Sequence, residues 1–237
     1  MIIRRVATGI TGLDNLIEGG IPCGASVIVT GTPGSAKSTF GLQFLRSGGA
    51  IGENGVYISL EEDPESLVQQ ADALGMDLRK FIDEKKIHLL KLDINLVQGE
   101  DAVKKLMDSE FIAGLNHLQP QRLVLDSLSL AIHLSHNYRL GPRGGTASLM
   151  QTFRKLGCTS ILIHEREKSE ESEIQYGFQD FVADGIIYLQ LIRRKEAAEF
   201  YRGLTILKMR RTNHGKGVYP FHIEHGGIRV YPDQRVF

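Results

Sequence analysis

Gly31-Thr32-Pro33-Gly34-Ser35-Ala36-Lys37-Ser38-Thr39 follows the apolar run Val27-Ile28-Val29 and leads into Phe40-Gly41-Leu42-Gln43-Phe44-Leu45. A β-branched run, a turn punctuated by glycine and proline, and a helix-like apolar segment predict a strand, a tight loop and a helix start. That geometry suits a phosphate, which needs several donors converging on it. Loop amides, the partial positive charge of a helix N-terminus and the ammonium of Lys37 supply them. The candidate phosphate-binding residues are therefore Thr32, Pro33, Gly34, Ser35, Ala36, Lys37, Ser38 and Thr39. Ser38 offers a hydroxyl to Mg²⁺. The stretch departs from G-x-x-x-x-G-K-[ST] at Ala36, whose Cβ stands where phosphates would approach. The plainer alternative is a Gly-rich turn with an exposed lysine, but the flanking strand and helix favour phosphate binding.

Composition narrows the class. With 237 residues the chain is expected to form one α/β domain over residues 1–237. Its 28 Lys+Arg balance 28 Asp+Glu, so there is no global basic field of the kind that drives non-specific nucleic-acid binding. Cys23 and Cys158 lack metal-ligand spacing, and a disulfide framework or zinc site is not expected. No stretch reaches 18 uninterrupted apolar residues, so no membrane span is expected and the reading is cytoplasmic.

Taken in order, residues 8–25 alternate glycines with apolar anchors and predict a short helix bounded by turns. Gly55-Val56-Tyr57-Ile58-Ser59-Leu60 reads as a buried strand. Asp63-Pro64 starts a helix carrying Leu67, Val68, Ala71 and Leu74, and Gly75 stops it. Ile87 to Lys91 is a short strand, followed by one helix bearing Val103, Leu106, Met107, Phe111, Leu115 and Leu118 and ended by Pro120. Arg122-Leu123-Val124-Leu125-Asp126-Ser127 is a strand ending in an acid, Ser148 to Leu156 a helix closed by Gly157, and Thr159 to His164 another strand. Strands alternating with helices imply right-handed crossovers and a mostly parallel sheet covered on both faces, with ligands at the strands' C-terminal ends. Beyond His164, Gly185 to Leu191 and Leu204 to Met209 predict a hairpin at the sheet's edge, and Tyr219 to Ile223 with Ile228 to Tyr231 a second hairpin around Gly226-Gly227. Residues 135–145 are expected to form a loop.

Asp126 ends its strand where a carboxylate could hold Mg²⁺, and the upstream phosphate loop favours that role over simple capping. Glu61 and Glu62 follow the neighbouring strand, so one of them can polarise a water as general base; the alternative is a solvated acidic pair opening a helix.

Gly19-Gly20-Ile21-Pro22, the phosphate loop, Leu60-Glu61-Glu62-Asp63-Pro64, Leu125-Asp126-Ser127, His164-Glu165-Arg166, Tyr176 to Asp184 and Leu207 to Gly217 occur in one order. That order resembles KaiC-type domains of the RecA superfamily over nearly the whole chain. The resemblance implies a RecA-like P-loop NTPase core with C-terminal antiparallel hairpins, acting as a Mg²⁺-dependent ATPase and slow nucleotide-controlled switch. It also implies a homo-oligomer, a hexameric ring with ATP clamped between subunits. By position, Lys37 would hold the β- and γ-phosphates, Ser38 and Asp126 would serve Mg²⁺, and Glu62 with Glu61 would place the attacking water. Lys208, Met209, Arg210, Thr212 and His214 match the K-x-R-x-T-x-H segment that reaches into the next subunit's nucleotide. Two positions depart from the family's glycines, Ala36 in the phosphate loop and Arg211 after the finger arginine. Ser135 to Thr146 offers no counterpart of the phosphorylated Ser/Thr pair, so autokinase activity is the lesser expectation. Two further readings are a RecA/RadA-like DNA recombination or repair accessory, with Arg139 and Arg143 lining a channel, and a non-hydrolysing nucleotide-binding scaffold. Neutral net charge argues against the first, and Ala36 motivates the second.

Overall fold

The computed structural model describes residues 3–94, 101–135, 141–166, 177–193 and 200–235. The chain opens with β1 (Arg5–Val6), α1 (Leu13–Leu16) and β2 (Ile21–Pro22), in which β1 and β2 form a small antiparallel ribbon. Then come β3 (Ser26–Gly31), α2 (Lys37–Ala50), β4 (Gly55–Ser59), α3 (Pro64–Ala73), α4 (Leu78–Asp83) and β5 (Ile87–Lys91). The middle holds α5 (Ala102–Leu106), α6 (Ser109–His117), β6 (Arg122–Asp126), α7 (Leu128–His133), α8 (Gly141–Lys155) and β7 (Thr159–Glu165). It closes with α9 (Phe178–Val182), β8 (Gly185–Arg193), β9 (Phe200–Met209), β10 (Val218–Glu224) and β11 (Gly227–Val230).

A nine-stranded sheet runs β11-β10-β9-β8-β3-β7-β6-β4-β5. Every pairing from β8 to β5 is parallel, and β8–β9, β9–β10 and β10–β11 are antiparallel. Period-2 alternation distributes the apolar side chains between two cores. Val27, Val29, Tyr57, Val124, Ile161 and Ile163 join α2 on one face, whereas Ile28, Val56, Ile58, Leu123, Leu125 and Leu162 meet Leu106, Leu149 and Phe153 on the other. The sheet is thus a doubly covered, mostly parallel α/β layer, as the strand and helix pattern predicts.

Several elements differ from the sequence reading. The helix expected across Val103 to Leu118 is two, because the Asp108 carboxylate accepts from the amides of Glu110 and Phe111 and starts α6 afresh. The loop expected over 135–145 is partly helix, since α8 begins at Gly141; Arg143 is exposed on it, while Arg139 and Tyr176 lie outside the described residues. The first C-terminal hairpin is not at an edge. Its strand β8 pairs in parallel with β3, and β10 and β11 continue the sheet beyond β9. Neither cysteine is paired, and burial raises the Cys158 thiol to about 12. Among the described residues no helix is long and apolar enough to cross a membrane.

Candidate nucleotide site

The parallel strands deliver their C-terminal ends to one place. Gly31 is level with Glu165 and Ser59 with Asp126, so the loop after β3, the turn after β4 and the acids ending β6 and β7 share a rim.

The loop after β3 folds back on itself, with the amide of Ser35 donating to the Thr32 carbonyl at 3.2 Å. Ala36 caps α2 at φ 74, in the left-handed region. Lys37 opens the helix and is only 7% exposed. Its Nζ donates to the Thr32 carbonyl at 3.0 Å and lies 3.8 Å from Glu165 Oε1. Burial holds this ammonium below the usual lysine range, and the carboxylates of Glu165, Asp126 and Glu61 pull the other way.

Ser38 Oγ donates to Asp126 Oδ2 at 2.8 Å, and the Tyr57 hydroxyl donates to the same oxygen. Burial raises the Asp126 carboxyl above the ordinary range, opposed by these two hydrogen bonds. Tyr57 is fully buried, and desolvation together with the Asp126 charge pushes its phenol well above its ordinary value. The apolar pattern of its strand places Tyr57 in the core and assigns it no partner. The usable signal was its polar tip, which must find a partner once the ring is buried on the α2 face.

The paired glutamates are parted by a turn. Ser59 Oγ accepts from the amides of Glu61 and Glu62 at 3.3 and 2.9 Å, and Lys91 Nζ donates to the Glu61 carbonyl. Glu61 Oε1 accepts from Ser127 Oγ at 3.2 Å. Glu62 Oε2 accepts from Ser66 Oγ at 3.1 Å and from Gln70 Nε2.

Lys37, Ser38, Glu61, Glu62, Asp126 and Glu165 bound a cleft of about 360 Å³. That volume lies within the range of small-molecule sites. The hydroxyl of Ser38 and the carboxylate of Asp126 form a hard-oxygen donor set that fits Mg²⁺, which is commonly held by one or two carboxylates together with substrate phosphates. Among the described residues no group of three or more His, Cys, Asp or Glu side chains could hold a metal ion by itself. Pro33, Gly34 and Thr39 also line this cleft; Ser35 is buried, with an Oγ that finds no partner.

The C-terminal segment is not gathered there. Lys208, Met209, Arg210, Thr212 and His214 do not line the cleft of their own chain. Lys208 lies on β9 and Arg210 beyond its end, and both are held within their own chain. Arg210 lies in the turn after β9, and its guanidinium approaches Asp184 at 3.5 Å and the Phe181 carbonyl at 3.3 Å. Lys208 Nζ donates to the Asp180 carbonyl at 2.9 Å and the Phe181 carbonyl at 3.3 Å. Asp184 follows α9, so the fold brings it close from a distant part of the sequence. Burial, with Arg210 as a like charge, lowers the Lys208 ammonium. The Met209 side chain is 4% exposed in the core against Gly185, which leaves only its backbone for a ligand. Thr212 Oγ1 accepts from Arg5 at 2.9 Å, and His214 Nδ1 lies 2.9 Å from the Gly215 carbonyl.

A strand–loop–helix phosphate cradle beside a strand-end aspartate and paired glutamates, on a doubly covered parallel sheet, defines a P-loop NTPase of RecA-like fold. The family model "ATPase: KaiC" matches residues 6–235, and the chain belongs to that family. It is 31% identical over 235 residues to the circadian clock oscillator protein KaiC of Synechococcus elongatus, covering 97% of this chain and 44% of the relative. It is 34% identical over 241 residues to the circadian clock protein KaiC3 of Synechocystis sp., covering 97% and 46%. The chain thus spans less than half the length of these curated relatives. A crystal structure of a KaiC-like protein from the hyperthermophilic archaeon Pyrococcus horikoshii superposes with TM-score 0.82 at 33% identity, covering 98% of this chain and 100% of that one.

Proposed function

We propose that residues 1–237 form one KaiC/RecA-like domain that binds ATP with Mg²⁺ and hydrolyses it slowly. The observation that carries this reading is the convergence of Lys37, Ser38, Asp126 and the glutamate pair on one cleft, with Ser38 Oγ 2.8 Å from Asp126. Lys37 and the loop amides hold the β- and γ-phosphates, and Ser38 and Asp126 hold Mg²⁺. Bound there, the ion offsets charge on the phosphate oxygens. Glu62, with Glu61 beside it, orients a water and takes its proton as the water oxygen bonds the γ-phosphorus and the bond to the β-phosphate oxygen breaks, giving ADP and inorganic phosphate.

The protein acts as a nucleotide-controlled switch in the cytoplasm, assembled as a homo-oligomeric ring, a hexamer in the family's pattern. ATP lies at subunit interfaces, reached in trans by Lys208 and Arg210, with Thr212, His214 and the Met209 backbone lining the approach. This reading is supported by the family membership and by the separation of that segment from its own chain's cleft. Calorimetric titration with MgATP tests the site. Lys37→Ala should bind ATP at least about tenfold more weakly, because the triphosphate loses a charge-assisted contact. Unchanged affinity would sink the phosphate-loop assignment.

A further inference from the structure

Both donors on Glu62 come from one stripe of α3. Glu62, Ser66 and Gln70 are spaced four residues apart, so along the helix and its lead-in they stack on one face. Ser66 Oγ and Gln70 Nε2 donate to the same oxygen, Oε2, and Gln70 Nε2 is also 3.5 Å from Ser66 Oγ. Gln70 is half-buried, and its side chain forms part of the cleft wall beside Glu62 and Asp126. Glu61 is tied elsewhere, to Ser127 at the start of α7. The two acids are therefore held by different elements and are not interchangeable.

We propose that Gln70 is a positioning residue for hydrolysis, clamping Glu62 by Oε2 against α3 so that Oε1 is presented to the attacking water. The inference deepens the ATPase reading and rests on Glu62 being the base. A glutamate at the mouth of a cleft has several rotamers, and two bonds on one oxygen select among them. An amide suits this task because it donates without carrying a proton that it could lose to the base. A displacement of about 1 Å at a reacting group costs about a hundredfold in rate, so the clamp bears on turnover more than on binding.

The test measures phosphate release, MgATP affinity and thermal midpoint for Gln70→Ala, Gln70→Glu and Glu62→Gln in the full chain. Gln70→Ala should lower kcat by about tenfold or more, with ATP affinity and melting temperature unchanged. Gln70→Glu keeps the shape but turns the donor into an acceptor, and it should lower kcat at least as far. A role in packing alone predicts the reverse order, with Glu near wild type and Ala impaired. That order would overturn the proposal, as would wild-type kcat in both Gln70 variants while Glu62→Gln loses turnover. If Glu62→Gln itself keeps wild-type turnover, the base assignment fails, and the clamp fails with it.

Discussion

An alanine at φ 74 carries its Cβ into a region that L-residues enter at a cost of about 1–2 kcal/mol, and Ala36 is held there by the turn that starts α2. Arg211, the second departure from the family's glycines, sits at φ 61. Both positions are thus explained by backbone conformation, beyond the crowding that the sequence suggested for Ala36. Ala36→Gly should stabilise the protein by about 1 kcal/mol, raising the melting temperature by about 2–4 °C. It should also increase ATP affinity or turnover, because it removes the Cβ nearest the phosphates. Scanning calorimetry and phosphate release check this; no gain in either would mean that the loop accommodates alanine without strain. At the neighbouring acids, Glu62→Gln should lower turnover by at least about 10²-fold while ATP still binds. A larger loss for Glu61→Gln would move the base to that residue.

At the scale of elements, the strands were legible because β3, β4, β6 and β7 are short, bounded apolar runs, and the segments that follow β3 and β4, with Asp126 at the end of β6, already named most of the cleft. The helices were less so. α6 depends on the Asp108 cap, α7 on the Ser127 hydroxyl accepting from the Leu130 amide at 3.2 Å, and α9 on the Asp180 carboxylate accepting from the Gly177 amide at 2.9 Å. Such short turns carry little periodicity. Glu165 and Asp184 escaped assignment for a related reason, since their partners lie on other elements and only the assembled sheet brings them together, whereas Gln70 stands four and eight residues after its partners Ser66 and Glu62, a spacing that the sequence itself displays. The junction of β7 with α9 also makes a pH prediction. His164 lies 3.4 Å from Thr30 Oγ1 and 3.2 Å from Gln179 Nε2, and burial lowers its imidazole from 6.5 to about 4. The folded protein therefore holds His164 neutral where the unfolded chain would take up a proton, so stability is fully present above pH 6.5 and declines as pH falls toward about 4. Denaturant melts at pH 7 and 4.5 should show a steeper loss for the wild type than for His164→Gln. Equal losses would place the acid sensitivity elsewhere.

At the scale of the molecule, Lys208 and Arg210 rest on the carbonyls at the end of α9 and on Asp184, and Phe181 beside them is 61% exposed. That arrangement suits either of two roles. The alternatives are a pair that guards and braces its own subunit and, as proposed above, one held ready for a neighbour's triphosphate. Specific activity should then rise with protein concentration until assembly is complete, and Arg210→Ala should lose turnover by about 10³-fold while still binding ATP. The most direct measurement is phosphate release from Arg210→Ala and Lys37→Ala subunits, each alone and then mixed. Each protein alone should be nearly inactive and the mixture should recover activity, because a mixed interface joins an intact phosphate loop to an intact arginine. No recovery, together with activity independent of concentration, would contradict a site shared between subunits.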